Sequence, residues 1–188
     1  MSVSVKLLVV GPPEAGKTAV SNFLSDISES TSGTYRPTQG VRILEFPVHS
    51  LRIGGRNVTA EVELWDCAGS PRFESCWPAF WKDTDGVVVV CDQQQGNYAK
   101  QIELWYSQFV QQQGLKDLQA MVIFNRKDSS AGNLRLQLSS RLANVSQFVA
   151  NLEEDPDSLR TEFNRFLCNV LGVVAEKRDQ QELSIMNH

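Results

Sequence analysis

Apolar residues fall along this chain in two alternating rhythms. Residues 5–10 (V-K-L-L-V-V), 86–91 (G-V-V-V-V-C) and 121–124 (M-V-I-F) form short, nearly continuous runs, as expected of strands buried on both faces. Between them lie stretches with helical spacing. Residues 17–24 read as a helix start, and residues 98–112 carry Ile102, Trp105, Tyr106 and Phe109 on one stripe. Residues 41–48 and 58–65 flank the turn pair Gly54-Gly55, which predicts a hairpin. Residues 142–149 predict a last strand. Asp155 and Pro156 then cap and open a helix predicted to run through Leu171. Residues 129–140 are polar and read as a surface loop, and residues 176–182 as a charged tail.

Strands that alternate with helices predict an α/β fold. Its central sheet is mostly parallel, with one antiparallel edge hairpin and helices on both faces. Ligands on such sheets bind at the carboxyl ends of the strands. A length of 188 residues suits one compact domain, and 41% hydrophobic with 21% charged residues is ordinary for a globular chain. The net charge of -4 argues against a nucleic-acid partner, which calls for a basic face. Cys67, Cys76, Cys91 and Cys168 form no C-x-x-C pair, and His49 and His188 are the only histidines. That argues against a structural zinc site and predicts small buried thiols in a reducing, cytoplasmic setting. The first apolar run ends at Gly11-Pro12, too early for a signal peptide or membrane span. Residue 2 is Ser, and the last five residues hold no cysteine, so no direct membrane anchor is expected.

Chemistry enters at the end of the first strand. Gly11-Pro-Pro-Glu-Ala-Gly16-Lys17-Thr18 fits G-x-x-x-x-G-K-S/T between a strand and a helix. Such a loop curls backbone N–H groups around a phosphate, and the helix amino terminus adds favourable charge. The candidate contacts are Gly11, Glu14, Ala15, Gly16, Lys17, Thr18 and Ala19. Lys17 is placed for the β/γ-phosphates and the Thr18 hydroxyl for Mg²⁺. Asp66-Cys67-Ala68-Gly69 follows a predicted strand. Asp66 is placed to hold Mg²⁺ and Gly69 to offer its N–H to a γ-phosphate.

These segments resemble those of Ras- and Rab-type GTPases. Trp65 to Gly69 is similar to their W-D-T-A-G segment, and Pro37-Thr38-Gln39-Gly40-Val41 to their first switch. The resemblance implies the P-loop GTPase fold, GTP/GDP as ligand, and Thr38 as a Mg²⁺ ligand that senses the γ-phosphate. Phe124-Asn125-Arg126-Lys127-Asp128 resembles the guanine-reading N-K-x-D, which implies Asn125, Lys127 and Asp128 as base contacts. Ala150-Asn151 stands nearest to the S-A-K loop. Tyr35 is a candidate for the ribose or base and equally for a plain loop aromatic. The resemblance implies a G domain over residues 1–171 with a charged C-terminal tail at 172–188. Segments 40–46, 73–79 and 182–186 more closely resemble the Rab-like GTPase subunits of the intraflagellar transport B complex. That implies coiled-coil partner subunits and a place at the cilium or flagellum and its base.

The pattern also breaks. Ser70 stands where Ras-type enzymes carry the glutamine that orients the attacking water, so hydrolysis should be slow. No catalytic residue is identified. Arg126 replaces a lysine, which predicts weakened guanine binding. Arg36 reads as a solvated loop charge. Trp77, Phe80 and Trp81 fit either a partner-binding face or core packing, and Trp105 with Phe109 reads as core. Three function classes are open at this point: a GTP-binding assembly subunit, a cycling Rab-like switch in vesicle trafficking, and a P-loop kinase. The guanine reader and the missing lipid site favour the first.

Overall fold

The computed structural model describes residues 2–27, 36–126 and 138–186. Its principal elements are β1 (Ser2–Val10), α1 (Lys17–Leu24), β2 (Val41–Ile53), β3 (Arg56–Cys67), α2 (Trp77–Trp81), β4 (Gly86–Cys91), α3 (Tyr98–Tyr106), β5 (Ala120–Asn125), β6 (Ser146–Ala150) and α4 (Pro156–Met186). The six strands form one sheet in the order β2-β3-β1-β4-β5-β6. β2 and β3 pair antiparallel at one edge, and every other pair is parallel.

The alternation of side chains along β1 divides the core. Val5, Leu7 and Val9 pack with Val20 and Leu24 of α1 and with Leu159, Phe163, Phe166 and Val170 of α4. Leu8 and Val10 point the other way, to Trp77 and Phe80 of α2 and Ile102, Trp105 and Tyr106 of α3. Helices therefore cover both faces, as the sequence pattern predicts. The expected fold class is the observed one.

The differences have local causes. The hairpin strands run several residues longer than the apolar pattern, since an edge ribbon tolerates exposed polar residues such as His49 and Arg52. The last strand begins at Ser146, not at 142. Residues Ser140–Leu142 form a 3₁₀ turn that buries Leu142 on the α3 side. The helix predicted to 112 is α-helical only to Tyr106 and continues as a π turn over Ser107–Gln111, in which Phe109 and Val110 are fully buried. α4 does not stop at Leu171 but reaches Met186. After Gly172 no further glycine or proline interrupts it, and Ala, Glu, Lys, Arg, Gln and Leu are good helix formers. Its last buried side chain is Val174.

Cys67 and Cys91 are buried as expected, Cys168 is partly covered, and Cys76 is exposed, contrary to expectation. Trp77 and Phe80 are buried, so core packing is the correct reading for both. Trp81 is half-buried and meets Phe109 edge-on. Among the described residues no helix is long and apolar enough to cross a membrane.

Candidate nucleotide site

The loop after β1 can only be built from glycine at two places. Gly11 has φ 146°, and a Cβ there would lie 2.0 Å from the Val90 carbonyl oxygen of β4. Gly16 has φ 94°, and its Cβ would lie 1.9 Å from Asn125 Nδ2. Asn125, at the end of β5, donates to the Ala15 carbonyl at 3.1 Å. The predicted phosphate loop and the predicted base reader are thereby in direct contact. Glu14 is exposed with φ 61°, and Ala19 is exposed on the first turn of α1.

Lys17 is 7% exposed, and its Nζ donates to the Pro12 carbonyl at 2.7 Å. Burial pushes its pKa down to about 8, against the opposing pull of Asp66. A Cβ on Gly69 would fall 2.5 Å from the Gly11 carbonyl oxygen and 2.6 Å from Lys17 Nζ. The D-x-x-G segment therefore closes directly over the phosphate loop. A buried ammonium beside a helix amino terminus and close glycine backbone suits a polyphosphate.

Three elements bring the metal candidates together. The Thr18 hydroxyl of α1 donates to Asp66 Oδ2 of β3 at 2.7 Å and lies 3.1 Å from the Thr38 hydroxyl, just before β2. Asp66 is wholly buried. This set consists of hard oxygen donors with few protein ligands, which fits Mg²⁺ completed by phosphate oxygens and water. Among the described residues no group of three His, Cys, Asp or Glu side chains could hold a metal by itself.

At the far side Asn125 stands opposite Ala150 in the β5–β6 ladder, and the Arg126 N–H donates to the Ala150 carbonyl at 2.8 Å. The two predicted base-contact segments are thus adjacent. Tyr35, Lys127 and Asp128 lie outside the described residues. Ser70 caps the 3₁₀ turn Pro71–Cys76, and its carbonyl accepts the Phe73 N–H. Arg36 is exposed.

Sequence reasoning missed two groups. Arg42 reaches Asp66 Oδ2 at 3.6 Å and hydrogen-bonds Asn22 Oδ1. Its signal was the hairpin register, which sets residue 42 opposite residue 66. The other is a pair of links between the switch segments: Arg72 donates to Gln39 Oε1, and the Ala68 N–H donates to the Gly40 carbonyl at 2.8 Å. Gly40 has φ 73°, which lets the chain turn there into β2.

The family described as Ras of Complex, Roc, domain of DAPkinase matches residues 6–128. Intraflagellar transport protein 22 homolog of Danio rerio is 46% identical over 97% of this chain and 98% of its own length. The Homo sapiens protein of the same name is 44% identical over 98% of this chain and 99% of its own. Among solved structures, GDP-bound T. brucei IFT22 superposes with a TM-score of 0.68 at 23% identity, covering 93% of this chain and 99% of that one. GTP-bound T. brucei IFT22/74/81 gives 0.64 at 23% identity, covering 91% and 99%. Those structures match in fold; the full-length sequence matches carry the kinship. With its phosphate loop, D-x-x-G segment and sheet order, the chain belongs to the intraflagellar transport protein 22 family of Ras-like GTPases.

Proposed function

We propose that this chain is the GTP-binding subunit of an intraflagellar transport B complex, docked on coiled-coil partner subunits and serving cilium or flagellum assembly and cargo transport. The observation that carries the reading is the meeting of Thr18, Thr38 and Asp66 beside Lys17, drawn from α1, the segment before β2, and β3. Such a cluster couples the first switch to whatever occupies the phosphate loop. Thr18 and Thr38 would hold Mg²⁺ directly and Asp66 through water. The ion would supply charge neutralisation for the phosphates.

Gly11, Gly16, Lys17 and the Gly69 amide would bind the phosphates. Asn125 and Ala150, with Lys127 and Asp128, would hold the guanine base. The Thr38 and Gly69 contacts would order both switch segments in the GTP state and release them with GDP. Ser70 has no side chain long enough to aim a water. Intrinsic hydrolysis is therefore expected at or below on the order of 10⁻⁴ per second, the range of an unassisted Ras-type enzyme. The nucleotide then acts as a structural ligand that presents a docking surface. The names of the relatives support work in the cilium or flagellum, and a cytoplasmic location that includes its base is part of the proposal. Residues 1–171 would form the G domain, and residues 172–188 an appended charged segment.

The test joins three measurements on the full chain. Chromatography of the ligand extracted from purified protein should return guanine nucleotide. A calorimetric titration of the coiled-coil heterodimer should show tighter docking with GTP than with GDP. Single-turnover hydrolysis should be slow. Equal affinity in GTP, GDP and nucleotide-free protein would reduce the nucleotide to a fold stabiliser, and fast multiple turnover would refute the structural-ligand reading.

A further inference from the structure

Arg42 and Asp66 face each other across the β2–β3 ladder. Directly opposed residues of an antiparallel pair share a face, with Cβ atoms about 4.5–5.5 Å apart. Arg42 does not run off into solvent. Its guanidinium hydrogen-bonds Asn22 Oδ1 on α1 and stands 3.6 Å from Asp66 Oδ2. The same carboxylate oxygen receives the Thr18 hydroxyl at 2.7 Å. One oxygen of a fully buried carboxylate thus has a fixed cation on one side and the metal-binding hydroxyl on the other. The Arg42 side chain is 29% exposed while that of Asp66 is wholly enclosed, so water screens the pair from one side only.

We propose that Arg42 is a positioning residue that lowers the grip of this site on a divalent cation, so that more Mg²⁺ is needed to slow the release of guanine nucleotide. The inference rests on the nucleotide-site reading above. The guanidinium stays charged across the accessible pH range. It offsets part of the Asp66 charge, and it repels a dication approaching Thr18 and Thr38. Coulomb energy at this range survives partial screening. Asn22 holds the guanidinium in place from α1, so the cation cannot simply swing away when a metal arrives.

A purely structural role makes the opposite prediction. If Arg42 only ties β2 to α1, its loss should loosen Asp66 and Thr18 and weaken metal binding. If its charge matters, its loss should strengthen metal binding. The experiment loads the full-length protein with fluorescent GDP and follows nucleotide dissociation as Mg²⁺ is titrated, for wild type, Arg42→Gln and Arg42→Lys. The half-saturating Mg²⁺ concentration should fall about tenfold in Arg42→Gln, within the usual range of coupling between two ligand sites. Arg42→Lys keeps the charge and should stay near wild type. Arg42→Met retains the aliphatic stem and should show the same fall if the glutamine variant does not fold. An unchanged or higher half-saturating concentration in the neutral variants overturns the inference while leaving the nucleotide site intact. A wild-type protein that binds no guanine nucleotide, with or without Mg²⁺, overturns both.

Discussion

A methyl group on Gly16 would meet Asn125 Nδ2 at 1.9 Å, in a backbone at φ 94° that side chains rarely adopt. Neither relief is available cheaply, because Asn125 is buried and bonded to the Ala15 carbonyl. Gly16→Ala is therefore expected to abolish nucleotide binding and to cost about 1–3 kcal/mol of stability, the scale of a strained backbone position. A thermal melt beside a fluorescent GTP titration checks both. Lys17→Ala tests the cation alone. It should weaken GTP binding by at least about 1.5–3 kcal/mol, as for a lost hydrogen bond to a charged group. Unchanged affinity in the same titration would remove Lys17 from the site. Gly11, Gly16, Lys17 and Thr18 were legible in the sequence because the phosphate loop is a local device, fixed by spacing within one strand-turn-helix unit. Arg42 was not, since its role comes from a cross-strand register and a contact with α1. The exposure of Cys76 was equally hidden, because it depends on how Pro71–Cys76 turns away from the sheet.

Among the elements, α2 has only the five residues Trp77–Trp81 and cannot stand by itself. It is held by aromatic packing: Trp77 lies 5.0 Å from both Trp105 and Phe109, ring centre to ring centre, and Trp105 stacks on Phe109 at 5.4 Å. The π turn after α3 is where Phe109 joins this contact. Trp77→Ala should cost about 3–5 kcal/mol, as for other buried aromatics, and denaturant unfolding will measure it. Tyr106, near the end of α3, donates to Asp117. Burial first, then that carboxylate, pushes its pKa up to about 12. The native state therefore keeps a proton that the unfolded chain releases near pH 10. Stability is whole below that pH and falls as pH rises toward 12. Tyr106→Phe should flatten the stability profile between those limits, and an unaltered slope would show that the hydroxyl does not titrate as argued. At this scale the sequence marked every strand and the main helices, since each carries its own period. It misplaced the start of β6 and the end of α3, where tertiary burial of Leu142 and Phe109 overrides local pattern.

In the molecule as a whole, the sheet and its two cores account for the stability, and the last turns of α4 add little. Every described side chain from residue 175 to 185 is exposed. The ion pair of Lys116 with Glu176 at 3.3 Å joins two side chains more than 60% exposed. Such pairs contribute about 0–1 kcal/mol. Ending the chain after Ala175 should leave the melting midpoint and GTP affinity nearly unchanged, and a large drop in either would show that the overhang is part of the domain. The parallel order and the two-sided core were legible because alternation along the chain dictates them; the reach of α4 was not, since a polar, exposed helix leaves no burial signature. The aromatic face carries a consequence of another kind. Trp65, Trp77, Trp81 and Trp105 are the only tryptophans, and all belong to or pack against the α2–α3 core beside the switch segments. Tryptophan emission from this protein therefore comes from that side of the molecule. The chain holds its own optical label, and nucleotide exchange can be followed by its indoles without attaching a dye.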